Sequence, residues 1–141
     1  MVTAISVDAA GNIYMTGRFG NTVDFDPGPG VNNITAAGSN YDFFITKYSG
    51  SGAYQWAQAM SGQGDTQCLS LKLDTAGNIY GSGYYQGTAD FNPAPASYYY
   101  LTSNGNNDAF VFKLENSGGF IWAVSFGGVL NESAISLSVD G

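Results

Sequence analysis

Two short acidic segments carry residue types and a spacing suited to metal chemistry. The first, "DFDPGPG", starts at Asp24 and places Asp26 two positions later, ahead of two glycines. Calcium loops use a similar D-x-D-x-G spacing, because the ion prefers hard carboxylate and carbonyl oxygens. The second segment, "DFNPAPA", keeps Asp90 and offers the amide oxygen of Asn92. These four residues are the candidate calcium ligands of the chain.

Turn formation is the alternative role of these segments, and it is the one we expect. Calcium takes about six to eight oxygen ligands, far more than one D-x-D pair supplies. Aspartate side chains accept backbone N–H bonds in turns, and proline fixes the backbone there. We therefore expect Asp24 and Asp90 to shape turns, and we predict no cofactor, with calcium as the open alternative.

A second pair of segments, "DAAGNIY" from Asp8 and "DTAGNIY" from Asp74, suits turn formation in the same way. A carboxylate before "AGN" is placed to accept N–H bonds across a turn, and Gly11 and Gly77 tolerate the positive φ that such turns require. We predict structural roles for these four residues.

The composition excludes several catalytic classes. The chain has no histidine, which rules out Ser-His-Asp and Cys-His catalysis and removes the commonest metal ligand. Cys68 is the single cysteine, so no intrachain disulfide forms. Its strand-like context predicts a buried, inert thiol.

The charge balance excludes two kinds of partner. Eleven carboxylates stand against four basic residues, which gives a net charge of −7 at pH 7. Such a surface repels phosphate backbones and anionic lipid, so we expect no nucleic-acid partner. No apolar run approaches the roughly 20 residues that span a bilayer, so we expect no membrane insertion.

The elements that position these residues follow from an internal repeat. A shift of 66 residues aligns 21 identities between residues 1–66 and 67–132, and residues 133–141 repeat the start of the unit. Such self-similarity is the signature of repeat architectures. Hydrophobic residues alternate with period two, which predicts four strands per unit, separated by Gly-rich turns. In the first unit these strands are "TAISVD", "IYMTGRF", "DFFITKYS" and "AYQWAQAM".

We therefore predict an all-β fold of beta-propeller blades, each a four-stranded antiparallel meander, with two blades per chain. Blade 1 spans residues 1–66 with an insertion at 20–41, and blade 2 spans residues 67–132 with an insertion at 86–107. Residues 133–141 are predicted to be the first strand of a truncated third blade. In such a meander the insertions lie at the same end as the loops that join consecutive blades.

The motifs of both units resemble the SBBP-type beta-propeller repeat of bacterial secreted and surface proteins. The shared features are a short strand ending in Asp, then "GNIY.TG", "D.F..K" and "SG...W", and they recur along both units. The resemblance implies an extracellular or cell-surface location in a bacterium. It implies no particular activity.

Two blades alone leave apolar surface exposed. Propellers close with about four to eight blades, and each blade buries its faces against its neighbours. We expect the two outer faces to be covered by other copies of the chain or by further blades of a longer parent chain.

Aromatic residues fall into a repeated set and a unique set. Trp56 and Trp122 recur at the same position of the fourth strand, which indicates packing between blades rather than a platform for sugars. Tyr98, Tyr99 and Tyr100 lie in the second insertion, where the first unit reads "NNIT". Tyrosine clusters are typical of recognition surfaces, so these three are candidate partner-contact residues, with coverage of the next blade as the alternative.

The whole pattern favours a non-catalytic structural and binding module that assembles through its blade faces and presents loops for protein or glycan contact. The alternative is a fragment of a carbohydrate-active propeller enzyme, a hydrolase or lyase with paired carboxylates. The acidic or amide candidates at the loop end are Asp65, Asn131 and Glu132. Nothing in their spacing pairs them, so we expect no enzymatic activity and assign them to ligand contact.

Overall fold

The computed structural model describes residues 1–38 and 40–140. The elements in these residues are β-strands, because β-branched and aromatic runs alternate with Gly- and Asn-containing turns. The strands are β1 (Val2–Val7), β2 (Ile13–Phe19), β3 (Thr22–Asp24), β4 (Asn33–Thr35), β5 (Asp42–Tyr48), β6 (Tyr54–Gly62), β7 (Thr66–Leu73), β8 (Ile79–Asp90), β9 (Tyr100–Leu114) and β10 (Phe120–Phe126). The described residues contain no helix long and apolar enough to cross a membrane.

Eight of these strands form two four-stranded antiparallel units. Blade 1 pairs its strands in the order β1, β2, β5, β6. Blade 2 pairs its strands in the order β7, β8, β9, β10. Neighbouring strands in each blade follow one another along the chain, apart from the insertion, as in a propeller meander. The predicted all-β class with blade-like antiparallel units is confirmed.

Each insertion forms a hairpin between the second and third strands of its blade. Hairpin 1 (residues 22–35) is the separate β3–β4 ladder, and hairpin 2 (residues 88–102) is the extended end of β8 and β9. Both follow a residue with positive φ, Asn21 at 59° and Gly87 at 71°. A left-handed residue at this point bends the strand away from the blade ladder.

The two hairpins share one register, although their sequences do not keep the 66-residue spacing. Asp24 pairs with Asn33 in hairpin 1, and Asp90 pairs with Tyr100 in hairpin 2. Asn33 therefore occupies the position of Tyr100, and the expected match of "NNIT" with "YYYL" is wrong. The structural match is "VNN" with "YYY", because the loop of hairpin 2 is one residue longer.

The main core lies between the two blades. The Phe43 ring of β5 stacks on Phe110 of β9, with centroids 5.3 Å apart, and on Phe112, at 5.7 Å. Leu71 and Met60 are buried in the same cluster. A short ladder between the ends of β6 and β8 also joins the blades. The blades therefore pack face to face through aromatic side chains.

Residues 133–140 lie against blade 2 without forming a ladder. The Glu132 N–H donates to the Asn107 carbonyl at 2.8 Å, as the Thr66 N–H donates to the Tyr41 carbonyl at 2.8 Å where blade 2 begins. The third unit thus starts on blade 2 as blade 2 starts on blade 1. No strand is assigned to residues 133–140, so a third blade beginning here stays a prediction.

Candidate functional site

The outer blade faces expose side chains that the joint between the blades buries. Leu71 of β7 is 1% exposed, whereas its repeat counterpart on β1, Ile5, is 58% exposed. Met60 of β6 is 1% exposed, whereas its counterpart on β10, Phe126, is 54% exposed. The positions are equivalent in the repeat, and only the neighbouring blade differs. The two ends of the pair therefore present interface residues to solvent.

We call the bare side of blade 1 the leading face and the bare side of blade 2 the trailing face. The leading face carries exposed Ile5 and Val7 on β1. It also contains a cleft of about 340 Å³, lined by Ile13, Met15, Pro27, Tyr48 and Gly52. The trailing face carries exposed Val124 and Phe126 on β10.

Hairpin 1 is fixed to the leading face by an aromatic cluster. The Phe25 ring packs edge-on against Phe19, with centroids 5.5 Å apart, and lies 4.9 Å from Phe44. The Tyr48 hydroxyl donates to the Phe25 carbonyl at 2.8 Å. Phe91 anchors hairpin 2 in the same way and is fully buried between the blades.

The hairpins do not stay at one end of the blade. The base of hairpin 2 meets the loop between the blades, since the Gln63 N–H donates to the Thr88 carbonyl at 2.9 Å. The tip of hairpin 1, residues 26–29, instead lines one cleft with the β5–β6 turn, residues 51–54. The expected location with the interblade loops is right for the base and wrong for the tip, because the anchoring phenylalanine folds the hairpin back along the sheet.

The side chains of all four candidate calcium ligands accept hydrogen bonds from backbone N–H groups of their own loops. Asp24 Oδ1 accepts the N–H groups of Asp26 (3.0 Å) and Asn32 (2.8 Å). Asp90 Oδ1 accepts the equivalent N–H groups of Asn92 (3.0 Å) and Tyr99 (2.8 Å). The side chains of Asp26 and Asn92 accept the next N–H groups along each loop.

These bonds are the chemistry of turn residues. Across residues 1–38 and 40–140, no three acidic, Cys or His side chains gather in a group suited to a metal ion. Calcium binding stays a prediction.

The turns at Asp8 and Asp74 are the same structure twice. In each, the carboxylate accepts the N–H of the residue four positions later at 2.8 Å, and that asparagine's amide also donates to it. Gly11 and Gly77 have φ of 83° and 80°. Bonds from Asn12 and Asn78 hold the pKa of Asp8 and Asp74 below the ordinary value. Each carboxylate therefore stabilises its turn in the ionised form.

The two tryptophans occupy equivalent places. Trp56 packs edge-on against Tyr14, with centroids 6.4 Å apart, and Trp122 packs edge-on against Tyr80 at 6.2 Å. Trp56 lies at the border of the interblade core. Lys113 lies 4.7 Å from the Tyr80 ring centroid and pairs with Asp74 at 3.4 Å. The tryptophans therefore belong to the packing of each blade.

The three tyrosines of hairpin 2 lie on opposite sides of the hairpin. Tyr99 packs on Phe120 of blade 2, with centroids 4.9 Å apart. Tyr98 and Tyr100 point to the other side of the hairpin, where their rings stack with a centroid distance of 5.5 Å and an interplanar angle of 7°. Both are more than 60% exposed. The pair forms an exposed aromatic surface on the solvent side of hairpin 2.

The three acidic or amide candidates lie in two loops, Asp65 in one and the adjacent Asn131 and Glu132 in the other. Asp65 accepts the Tyr41 N–H at 3.1 Å, in the loop between the blades. Glu132 accepts the Gly128 N–H at 2.9 Å. Asn131 forms a bridge to Asn107. Within the described ranges no hydrogen bond links any two of Asp65, Asn131 and Glu132.

Burial shifts the pKa of Cys68 and of Asp42. Burial raises the pKa of Cys68 to about 12, which keeps the thiol protonated and unreactive. Burial also raises the pKa of Asp42, whose carboxylate accepts the N–H groups of Ala37 and Gly62. Asp42 therefore links the segment that follows hairpin 1 to the end of β6.

Residues at the base of hairpin 2 were missed by sequence reasoning. Thr88 and Thr102 face each other across the hairpin, with hydroxyl oxygens 2.9 Å apart, on the side that carries Tyr100. The available signal was Thr22, which is identical to Thr88 under the 66-residue shift. The one-residue difference in loop length hid the matching position of Thr102.

One comparison with known proteins bears on the family. No family model matches the chain. The chain is 34% identical over 90 residues, 62% of its length, to an uncharacterized WD repeat-containing protein, L264, of Acanthamoeba polyphaga mimivirus. WD repeats build propeller blades of four strands, the architecture observed here. The chain is a repeat protein of the β-propeller type. The chain spans about 6% of the length of that viral relative. The match therefore bears on the fold and carries no activity over to this chain.

Proposed function

We propose that the chain is a non-catalytic recognition module, part of a secreted or cell-surface propeller of the SBBP type, which assembles through its blade faces. The observation that supports assembly is the contrast between buried Leu71 and Met60 and bare Ile5 and Phe126. The leading face of one copy presents Ile5 at the position where blade 2 presents Leu71 to blade 1. A head-to-tail contact between copies, or with further blades, buries both faces.

The loops and hairpins are the surfaces that such an assembly presents to a ligand. Binding residues concentrate on loops that a rigid scaffold holds in place. Hairpin 2 is held by both blades, through its ladder to β6 and through buried Phe91. The location outside the cell is inferred from the resemblance of the repeat motifs.

Sedimentation of two charge variants tests the assembly. Ile5→Asp damages the leading face and Phe126→Asp damages the trailing face, because each puts a carboxylate into an apolar joint. Each variant alone sediments as a smaller species than the wild type. Their equimolar mixture forms dimers and nothing larger, because one undamaged joint remains per pair.

Thr75→Asp, on an exposed turn of blade 2, is the matched control and leaves the wild-type species unchanged. Equal sedimentation of the wild type and both face variants would contradict the proposal. Dimers formed by either variant alone would contradict the head-to-tail geometry.

A further inference from the structure

We propose that the Tyr98–Tyr100 side of hairpin 2 binds a neutral saccharide at the seam between the two blades. The proposal rests on the proposed function as a recognition module and names the ligand class of one surface. Tyr98 and Tyr100 are 66% and 61% exposed, and their rings lie parallel, with an interplanar angle of 7°. Solvent-facing aromatic rings suit the C–H face of a pyranose, because the ring face carries partial negative charge.

A cleft adjoins Tyr100 and is built by both blades. Its volume is about 250 Å³. Its lining residues are Ala37, Ser61, Gly62 and Gln63 of blade 1 and Thr88, Asp90 and Tyr100 of blade 2. Small concave sites with one aromatic wall and a few fixed polar groups are typical of small-ligand recognition. A protein partner would need a much larger apolar contact area than this cleft provides.

The polar groups of the cleft suit hydroxyl ligands. Asp90 uses Oδ1 for the backbone of its own loop. In the part of the chain that the structure describes, Asp90 Oδ2 is engaged in no hydrogen bond, so it is available to accept from sugar hydroxyls. Thr88 also lines the cleft, and its hydroxyl, which is bonded to that of Thr102, retains further capacity as acceptor.

Charge restricts the ligand to the neutral class. The lining contains the carboxylate of Asp90 and no basic residue. The whole chain carries a net charge of −7. Uronic or sulfated saccharides are therefore repelled, whereas neutral hexose or pentose units are not.

Hairpin 1 shows that the two tyrosines are not needed to build this structure. It has the same threonine pair, with Thr22 and Thr35 hydroxyl oxygens 2.8 Å apart, and the same ladder. In place of Tyr98 and Tyr100 it carries Val31 and Asn33. The tyrosines are thus an addition to a hairpin that forms without them.

The test is titration calorimetry of the full chain with neutral hexasaccharides of gluco-, manno-, galacto- and xylo-configuration. The variant is Tyr98→Val with Tyr100→Asn, which installs the residues that hairpin 1 already carries. We expect at least one hexasaccharide to bind the wild type and the double variant to bind it about tenfold more weakly or worse. The melting temperature of the variant should stay within a few degrees of the wild type. Val31→Ala is the control and should bind as the wild type does.

Three results would overturn the saccharide site: no binding by any neutral hexasaccharide, equal binding by wild type and double variant, or binding of uronic saccharides alone. Light scattering on the same samples separates the two proposals. A double variant that loses the wild-type assembly while no saccharide binds would assign the tyrosines to protein contact. Unchanged assembly with no saccharide binding would leave the proposed assembly standing and reject this site.

Discussion

At the scale of single residues, the repeated aspartates act through turns. Asp8 and Asp74 each accept hydrogen bonds from the backbone N–H and the side-chain amide of the asparagine four residues later, and these bonds favour the ionised carboxylate. A carboxylate whose pKa is lower in the folded state stabilises the fold above its unfolded pKa, and this stabilisation is lost as the pH falls through the folded value. Asp42 acts in the opposite direction, because burial raises its pKa.

We predict that Asp8→Ala combined with Asp74→Ala lowers the melting temperature at pH 7 by several degrees. The difference from the wild type narrows at pH 3, below the ordinary carboxyl pKa of 3.8, because the unfolded chain then binds protons that the folded turns, with their lowered pKa, bind less readily. Thermal denaturation at both pH values measures it. Asp140→Ala is the control, because Asp140 holds the same repeat position and, among residues 1–38 and 40–140, its carboxylate accepts no turn bond. A difference that is as large at pH 3 as at pH 7 would contradict the role of the ionised carboxylates.

A second residue-scale feature concerns one cross-strand pair that occurs in both blades. The large side chain lies on the second strand in blade 1 and on the third strand in blade 2. Met15 pairs with Thr46 in blade 1, and Gly81 pairs with Phe112 in blade 2. A β-carbon added to Gly81 would overlap the Phe112 ring. The glycine is therefore required by the close approach of the phenylalanine.

We predict that Gly81→Met costs about 1–3 kcal/mol through overpacking and that Phe112→Thr costs about 3–5 kcal/mol through a cavity. Together they recreate the Met15–Thr46 pair, so their combined cost falls short of the sum by about 1–2 kcal/mol. A double-mutant cycle by urea denaturation measures the coupling. Additive costs would show that the two positions do not compensate each other.

At the scale of elements, the period-two pattern predicted the blade strands well. The predicted strand "IYMTGRF" has the bounds of β2, and the predicted strand "DFFITKYS" extends one residue beyond β5. The pattern works here because β2 and β5 bury side chains against a neighbouring blade or hairpin. It also placed Cys68 correctly in a buried strand.

The hairpins were predicted as elements but not in their placement. Their register depends on a loop of different length in each unit, which a constant shift of 66 residues cannot represent. Their direction depends on Asn21 and Gly87 adopting positive φ and on Phe25 and Phe91 finding an aromatic partner in the blade. Those contacts join residues distant in sequence, so local pattern does not encode them. The Tyr98–Tyr100 stack follows from the same register.

The start of the third unit gives an element-scale prediction. Residues 133–140 lie on blade 2 where the first strand of a following blade belongs, with the Ala134 N–H donating to the Gly83 carbonyl at 3.1 Å. In a head-to-tail contact, β1 of a second copy would occupy the same position on blade 2. We predict that a chain ending after Glu132 associates more tightly than the 141-residue chain, measured by sedimentation equilibrium.

A chain ending after Asp140, which keeps the segment, is the matched control and should associate as the 141-residue chain does. Weaker association of the shorter chain would mean that residues 133–140 contribute to the contact between copies.

At the scale of the whole molecule, the decisive feature is that two blades alone leave one face of each blade uncovered. One aromatic joint is formed within the chain, and Ile5 and Phe126, the repeat counterparts of its buried Leu71 and Met60, are exposed on the leading and trailing faces. Exposed apolar surface of this kind marks contact sites in soluble proteins. The net charge of −7 limits aggregation without preventing a specific apolar joint.

The most direct measurement is the solution mass of the wild-type chain by light scattering across a wide range of concentrations. The account predicts a mass that rises with concentration to a whole-number multiple of 14.8 kDa, consistent with a ring of about four to eight blades. A folded species of 14.8 kDa at every concentration, without binding of a dye for apolar surface, would contradict it.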